Sequence, residues 1–327
     1  MTLLDVKNLC TEFRVDGKVL KAVDSASFHL KRGETLGIVG ESGCGKSVMA
    51  LSLLKLIPSP PGHIASGSVF LKTDGVDADL MTLSENEMLK IRGAKISMIF
   101  QDPLVSLDPV YTIGNQIIEA IRSHNSVGHK DAKARALKLL DLVGMPDPAA
   151  RIKEYPHQLS GGMRQRVMIA MALACSPEIL IADEPTTSLD VTIQAQILEL
   201  ISRLQKELGM SVMLITHDFG IVAEMADRVM VMYAGQIVEE GSTDEIFNSP
   251  KHPYTQALLK AVLPAEKKMR GATLSTIPGR VPDLGDLPKG CYFQNRCSRV
   301  KDRCRIESVP NDPCGIGRVV RCFYCNE

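Results

Sequence analysis

One eight-residue stretch constrains this chain more than any other: Gly40-Glu41-Ser42-Gly43-Cys44-Gly45-Lys46-Ser47. It fits the spacing G-x-x-x-x-G-K-S. It follows the short apolar run TLGIVG, 35 to 40, and it opens the helical pattern SVMALSLLKLI, 47 to 57, which PSPPG stops. Strand, glycine-rich turn and helix in that order bring backbone N–H groups to a helix N-terminus, where an anion is favoured. The amides from about Ser42 to Lys46 are expected to point at phosphate oxygens. Lys46 is expected to reach the β- and γ-phosphates, and Ser47 to place its hydroxyl on Mg²⁺. Cys44 occupies a position with no fixed chemistry and reads as a small filler.

The pattern around this loop points to a parallel sheet covered by helices. Residues 2 to 7 and 19 to 30 alternate apolar and polar, as half-exposed strands do. Buried-strand runs follow at 95–100, 178–183, 211–216 and 228–233, and the helical stretch 193–208 separates two of them. Such strand–helix–strand alternation argues for an α/β fold. Residues from about 103 to 165 read as a mostly helical insertion, with Leu137, Leu140 and Val143 on one helical face. Residues 278 to 290, rich in Pro and Gly, read as a linker.

Three further motifs carry chemistry. ILIADEPTTSLD, 179 to 190, ends a strand in Asp183 and Glu184, at the sheet edge where ligands sit in doubly wound folds. Asp183 can hold Mg²⁺ through water, and Glu184 can polarise a water that attacks the γ-phosphorus. LSGGMRQR, 159 to 166, opens a helix with a serine and two glycines. The chain's own phosphate loop already serves one nucleotide, so this start reads as a site completed by a second subunit. His217, in LITHD, lies just past a strand, within reach of a γ-phosphate.

Charge and hydropathy exclude other classes. The chain has 38 Lys and Arg against 38 Asp and Glu, without the basic excess expected of a nucleic-acid protein. No run approaches 18 consecutive apolar residues, and MTLLDVKNLC lacks the pattern of a signal peptide. The expected location is therefore cytoplasmic.

Taken in order, these motifs resemble the ATP-binding subunits of ABC transporters: a Walker A loop at 40–47, Gln101 in IFQDP, the LSGG signature, Walker B, the SLD loop and the His217 switch. The resemblance implies an α/β phosphate-loop NTPase cassette within residues 1–250. This cassette has a RecA-like core sheet, an N-terminal antiparallel β subdomain and a helical subdomain at about 103–165. It also implies that two cassettes dimerise head to tail around two ATP molecules. Ser160, Gly161 and Gly162 would then grip the γ-phosphate bound by the opposite subunit, and Asp190 would cross the interface. Gln101 would sense Mg²⁺ and the attacking water, and Phe13 would stack on adenine. Met163 departs from the pattern, since many members carry glutamine there.

The segments IFQDPLVSLDP, EYPHQLSGGMRQRVMIAMALAC, ADEPTTSLDVTIQAQI and HPYTQALLKAV narrow the resemblance to the oligopeptide and dipeptide importers, most closely their dipeptide-type D subunits. The resemblance then covers the whole chain, with residues 251–327 as a small Cys-rich C-terminal extension. It implies a second ABC ATPase subunit as partner, a paralogue in a heterodimer or an identical chain, with two transmembrane permease subunits, an extracytoplasmic peptide-binding protein and a place on the cytoplasmic face of the membrane. Nickel and oligosaccharide importers share very similar ATPase subunits. A soluble non-transport ABC protein is the competing class, but only one cassette and no long heptad run are present. An iron–sulfur redox regulator built on an ancestral ATPase is a third reading. The intact Lys46, Asp183, Glu184 and His217 argue against a dead cassette.

Six of the nine cysteines fall within residues 290–327. Four thiolates can hold a [4Fe–4S] cluster or a tetrahedral Zn²⁺. Zinc favours short knuckles, and only Cys322-x2-Cys325 offers one. The family resemblance assigns Cys291, Cys297, Cys304 and Cys322 to a [4Fe–4S] cluster, with Cys325 as an alternative to Cys322. The tail has few large apolar residues, so ligand bonds rather than burial are expected to fold it.

Overall fold

A computed structural model describes residues 1–102, 106–187, 189–262, 276–314 and 317–327. They divide into two compact units. The first comprises Met1–Leu3, Leu30–Glu34 and Leu71–Ile215; the second comprises Leu4–His29, Thr35–Phe70 and Thr216–Glu327.

In the second unit, strands Thr2–Val15 and Lys18–Lys31 form a hairpin, and strand Gly62–Thr73 lies beside the first of them. The first strand continues well past the expected residue 7. Its turn is Asp16-Gly17, with φ of 50° and 75°. Two consecutive positive φ values match the right-handed twist of the flanking strands, and Asp-Gly tolerates them. The same device recurs at Ala234-Gly235, which joins strands Arg228–Tyr233 and Gln236–Ser242.

Strand Thr35–Val39 is buried at every residue and pairs in parallel with Arg228–Tyr233, from Leu36↔Arg228 to Val39↔Val231. A continuous apolar run suits a strand covered on both faces. Strand Gln236–Ser242 pairs antiparallel on its far side with Val319–Val320, through Glu239↔Val320 and Glu240↔Val319. Residues near the C-terminus thereby extend this sheet.

The tail therefore does not depend on ligand bonds alone, contrary to the sequence expectation. Phe293 is 3% exposed and Val320 is fully buried. Phe293 enters the cluster built by Val231, Tyr233, Val238 and Tyr254. A segment too poor in apolar residues to fold by itself borrows the core of the unit on which it lies.

The first unit carries strands Ile96–Ile99, Ile179–Asp183 and Ser211–Ile215, parallel and in that order, with Ile99↔Ala182 and Asp183↔Ile215 in register. Its helices Ile113–His124 and His129–Leu142 fall within the expected helical insertion, of which residues 103–105 lie outside the described residues. The buried stripe of the second helix is Ala132, Ala136 and Leu140, continued by Val143. Leu137 is only half-buried, because small alanines at four-residue spacing let the helix approach its neighbours on that face instead.

The helix after the phosphate loop runs Lys46–Leu53 and stops four residues short of the expected 57. Lys55 takes φ 52°. The Lys55 N–H donates to the Ser52 carbonyl and the Leu56 N–H to that of Leu51. This pair of bonds is a Schellman stop, here built without glycine. Among the described residues, no helix is long and apolar enough to cross a membrane.

Candidate functional site

The phosphate loop lies in the second unit and is shaped by contacts that exclude side chains. Gly45 has φ 102°, and a Cβ there would stand 2.2 Å from the Ala22 carbonyl oxygen. Only glycine fits both the dihedral and the space. Cys44 is 1% exposed, and burial pushes its thiol pKa up, despite the charge of Lys46. It is the inert filler that its position suggested. Gly45 begins the helix by accepting from the Met49 N–H at 2.9 Å. Lys46 is 5% exposed, and its Nζ donates to the carbonyls of Gly40 at 2.9 Å and Glu41 at 3.1 Å. Ser42 and Gly43 are exposed and Ser47 is half-buried.

Glu41 is held from the C-terminal part of the chain. Its carboxylate receives a two-pronged bond from Arg296, and its N–H donates to Tyr254 Oη at 3.0 Å. Sequence reasoning placed Glu41 among the nucleotide-binding residues but missed both partners, since 213 and 255 positions separate them from it.

Phe13 and His217 also lie in the second unit. The Phe13 ring is half-buried and lies over Gly62, where a Cβ would meet it at 2.8 Å. His217 is exposed on a short, firmly held turn. Thr216 donates its N–H to the Ile38 carbonyl at 3.1 Å. Asp218 caps helix Phe219–Met225 by accepting from Gly220 N at 2.7 Å and Ile221 N at 3.3 Å.

The first unit brings Gln101 and Glu184 together. Gln101 Nε2 donates to Glu184 Oε2 at 2.9 Å. Thr187 Oγ1 donates to the same oxygen at 2.8 Å, a partner the sequence reading did not single out. Its signal was present as the second threonine of DEPTT. Glu184 takes φ 45°, and its N–H donates to the Ile215 carbonyl at 2.9 Å. A left-handed glutamate at a strand end is the kind of strain that gathers at functional sites. Asp183, the last residue of its strand, is 4% exposed.

Ser160 and Asp190 both cap helices. Ser160 Oγ accepts from Met163 N at 3.3 Å at the start of helix Gly161–Ala172. Asp190 Oδ1 accepts from Ile193 N at 3.0 Å at the start of Val191–Leu208. Gly161 and Gly162 form the first turn of the former, with Ser160 exposed before them. Ser188, in the SLD loop, lies outside the described residues.

In the tail, Cys291, Cys297, Cys304 and Cys322 line one cavity, together with His252 and Phe293. All four are free thiols. Burial pushes the Cys291 thiol up to about 11, helped by the other three cysteines around it. Burial also raises Cys297 and Cys322. Cys325 is not on this wall. Its sulfur lies 2.8 Å from that of Cys314. Among the described residues, no group of three His, Cys, Asp or Glu side chains is gathered closely enough to hold a metal ion. Neither the expected [4Fe–4S] cluster nor the zinc alternative therefore finds a preformed metal-holding group among the described residues.

A phosphate loop, a strand-end carboxylate pair, a glutamine on the second of those acids and a serine-capped Gly-Gly helix start define an ATP-binding cassette. The family description "ABC transporter" matches residues 23–187, and "Oligopeptide/dipeptide transporter, C-terminal region" matches residues 238–304. The oligopeptide transport ATP-binding protein OppD of Bacillus subtilis (strain 168) is 53% identical over 296 residues, covering 90% of this chain and 81% of that protein. The dipeptide transport ATP-binding protein DppD of Escherichia coli (strain K12) is 50% identical over 326 residues, covering 99% and 97%. The cassette MJ0796, solved as a post-hydrolysis dimer bound to ADP and Pi, superposes with a TM-score of 0.65 at 28% identity, covering 73% of this chain and 98% of that one. The chain belongs to the ABC transporter family, in the branch of ATP-binding subunits that carry the oligopeptide/dipeptide C-terminal region. It is an ABC cassette ATPase.

Proposed function

We propose that this chain is the ATP-hydrolysing subunit of a peptide importer. The C-terminal region at 238–304 carries this reading, because the cassette alone is shared by transporters of many substrates. In this reading the amides of residues 40–47 bind the phosphates, Lys46 reaches the β- and γ-phosphates, and Ser47 and Asp183 serve Mg²⁺. Glu184 takes a proton from the attacking water while His217 contacts the γ-phosphate. Gln101 and Thr187 both donate to Glu184 Oε2 and so hold the carboxylate in place. Gln101 then reports nucleotide state from the same carboxylate that does the chemistry. Ser160, Gly161 and Gly162 act on the nucleotide of a second cassette, a paralogue in the assembled transporter, with Asp190 at that interface. Phe13 stacks on adenine, and its half-exposed ring supports that role.

The partners in this reading are two membrane-spanning permease subunits and an extracytoplasmic peptide-binding protein. The chain then sits at the cytoplasmic face of the membrane, with residues 251–327 as its extension. The test is ATPase activity of the reconstituted transporter. Short peptides, with the binding protein present, are expected to raise turnover several-fold. Stimulation by nickel or an oligosaccharide in place of peptide would overturn the substrate reading.

For the tail, a [4Fe–4S] cluster held by Cys291, Cys297, Cys304 and Cys322 is the reading proposed, on the ground that these four cysteines line one cavity. A single Zn²⁺ needs its four sulfurs at about 2.3 Å from one point. A cluster spreads its four thiolates over four irons and so accepts wider spacing. Four thiols around one cavity are the observation behind the cluster reading. When bound, the cluster would cross-link the segment 291–304 to the C-terminal residues around 322. Cys291 already donates its N–H to the Cys304 carbonyl at 2.8 Å, so half of that frame is held by the backbone.

A further inference from the structure

The C-terminal region grips the phosphate loop at Glu41. Arg296 is buried, with a side chain 4% exposed. Its Nη1 donates to Glu41 Oε2 at 2.7 Å and its Nη2 to Oε1 at 3.0 Å. This is the bidentate fork that fixes a carboxylate in both distance and orientation. The fork is itself held: Arg296 Nε donates to the Pro278 carbonyl at 3.0 Å, and the guanidinium lies 5.7 Å from the centre of the Tyr233 ring. On the other side of Glu41, its N–H donates to Tyr254 Oη. Tyr254 is fully buried and packs against Tyr233 and Phe293, with ring centres at 4.6 and 5.3 Å. The Glu41 carbonyl accepts from Lys46 Nζ. One residue of the loop is thus held at carboxylate, amide and carbonyl, and two of the three holders lie beyond residue 250.

Glu41 is an acid in a loop that must accept the negative charge of a polyphosphate. Unpaired, its carboxylate would oppose that charge at short range. Paired with Arg296, it is neutralised and turned aside. We propose that Arg296 is a positioning residue for nucleotide binding. It silences and anchors the Glu41 carboxylate, and the C-terminal region is thereby a working part of the phosphate site rather than an appendage to the cassette.

The test is a suppressor experiment on the full chain. Affinity for ATP is read with a fluorescent ATP analogue and by competition with ATP. Arg296→Met is expected to weaken binding about tenfold, the size of a lost charge-assisted pair. Adding Glu41→Gln to that variant removes the stranded carboxylate and is expected to recover most of the loss. Arg296→Lys, which keeps the charge and one contact, is expected to fall between wild type and Arg296→Met, and it carries the same readout should Arg296→Met fail to fold. A purely structural arginine would lower the melting temperature without this rescue. The proposal is overturned if the folded Arg296 variants bind ATP as wild type does, or if Glu41→Gln fails to restore their affinity.

Discussion

Glu239 offers the sharpest stability test. Its side chain is fully buried, and it is paired with the equally buried Arg318. The same carboxylate accepts the Lys251 N–H at 2.7 Å and the His252 N–H at 2.9 Å. One buried anion therefore ties strand Gln236–Ser242 to the tail and to the turn that starts helix Pro253–Val262. Glu239→Gln keeps the volume, deletes the charge and sets an NH₂ donor among groups that are all donors. Removing one partner of a buried ion pair costs about 3–5 kcal/mol, because the other charge stays buried without compensation. For a unit of this size each kcal/mol is worth about 2–4 °C, so a loss of roughly 6–20 °C is expected in the transition that reports the second unit. Differential scanning calorimetry measures it. Glu239→Leu with Arg318→Leu removes both charges and is expected to recover much of the loss. A shift below about 2 °C for Glu239→Gln would refute the argument that this carboxylate organises the tail.

Two further outcomes are expected. Tyr292 Oη donates to Asp24 Oδ2 at 2.9 Å, and Gln236 donates to the same oxygen at 2.8 Å. Burial pushes the Asp24 carboxyl up, but these bonds, with the charges of Lys21 and Arg321, hold it below the usual range. A depressed carboxylate pKa contributes stability that is present above the unfolded value and is lost as pH falls through the folded one. Tyr292→Phe is therefore expected to cost about 1.5–3 kcal/mol at pH 7. That difference should narrow below about pH 4, as read from urea midpoints at both pH values; a gap that stays constant to pH 3 contradicts the assignment. In the tail, protein purified without oxygen is expected to carry about four irons and four acid-labile sulfides per chain. Cys297→Ser or Cys322→Ser should lower both, whereas Cys325→Ser should leave them in place. Zinc at one per chain, or loss of iron on Cys325→Ser, runs against the cluster reading.

Much of the nucleotide site was legible because its parts are local. A phosphate loop needs its glycines, lysine and serine consecutive, flanked by a strand and a helix, and the sequence displays all three. The Gln101–Glu184 contact spans 83 positions and was not read from the sequence, since no spacing rule connects them; the family resemblance singled out Gln101 only as a sensor of Mg²⁺ and the attacking water. Local chemistry also misled. The helix after the loop reads as helical to residue 57, yet Lys55 turns left-handed and ends it where no glycine announces a stop. The tail reads as unable to fold by burial because its own apolar residues are few. Its Phe293 packs against side chains contributed from elsewhere in the chain and Val320 pairs with the strand at Glu239, which composition cannot show. The Arg296–Glu41 fork was invisible for the same reason. Each partner belongs to its own motif, 255 positions apart, and only the fold makes them neighbours.

The central claim is that this cassette hydrolyses ATP to drive import, with Glu184 as the residue that activates water. The most direct measurement is ATP turnover by the assembled transporter carrying Glu184→Gln, beside nucleotide binding by the same variant. The account expects turnover to fall by roughly 10²-fold or more while ATP still binds. Turnover near wild type with binding intact would contradict it.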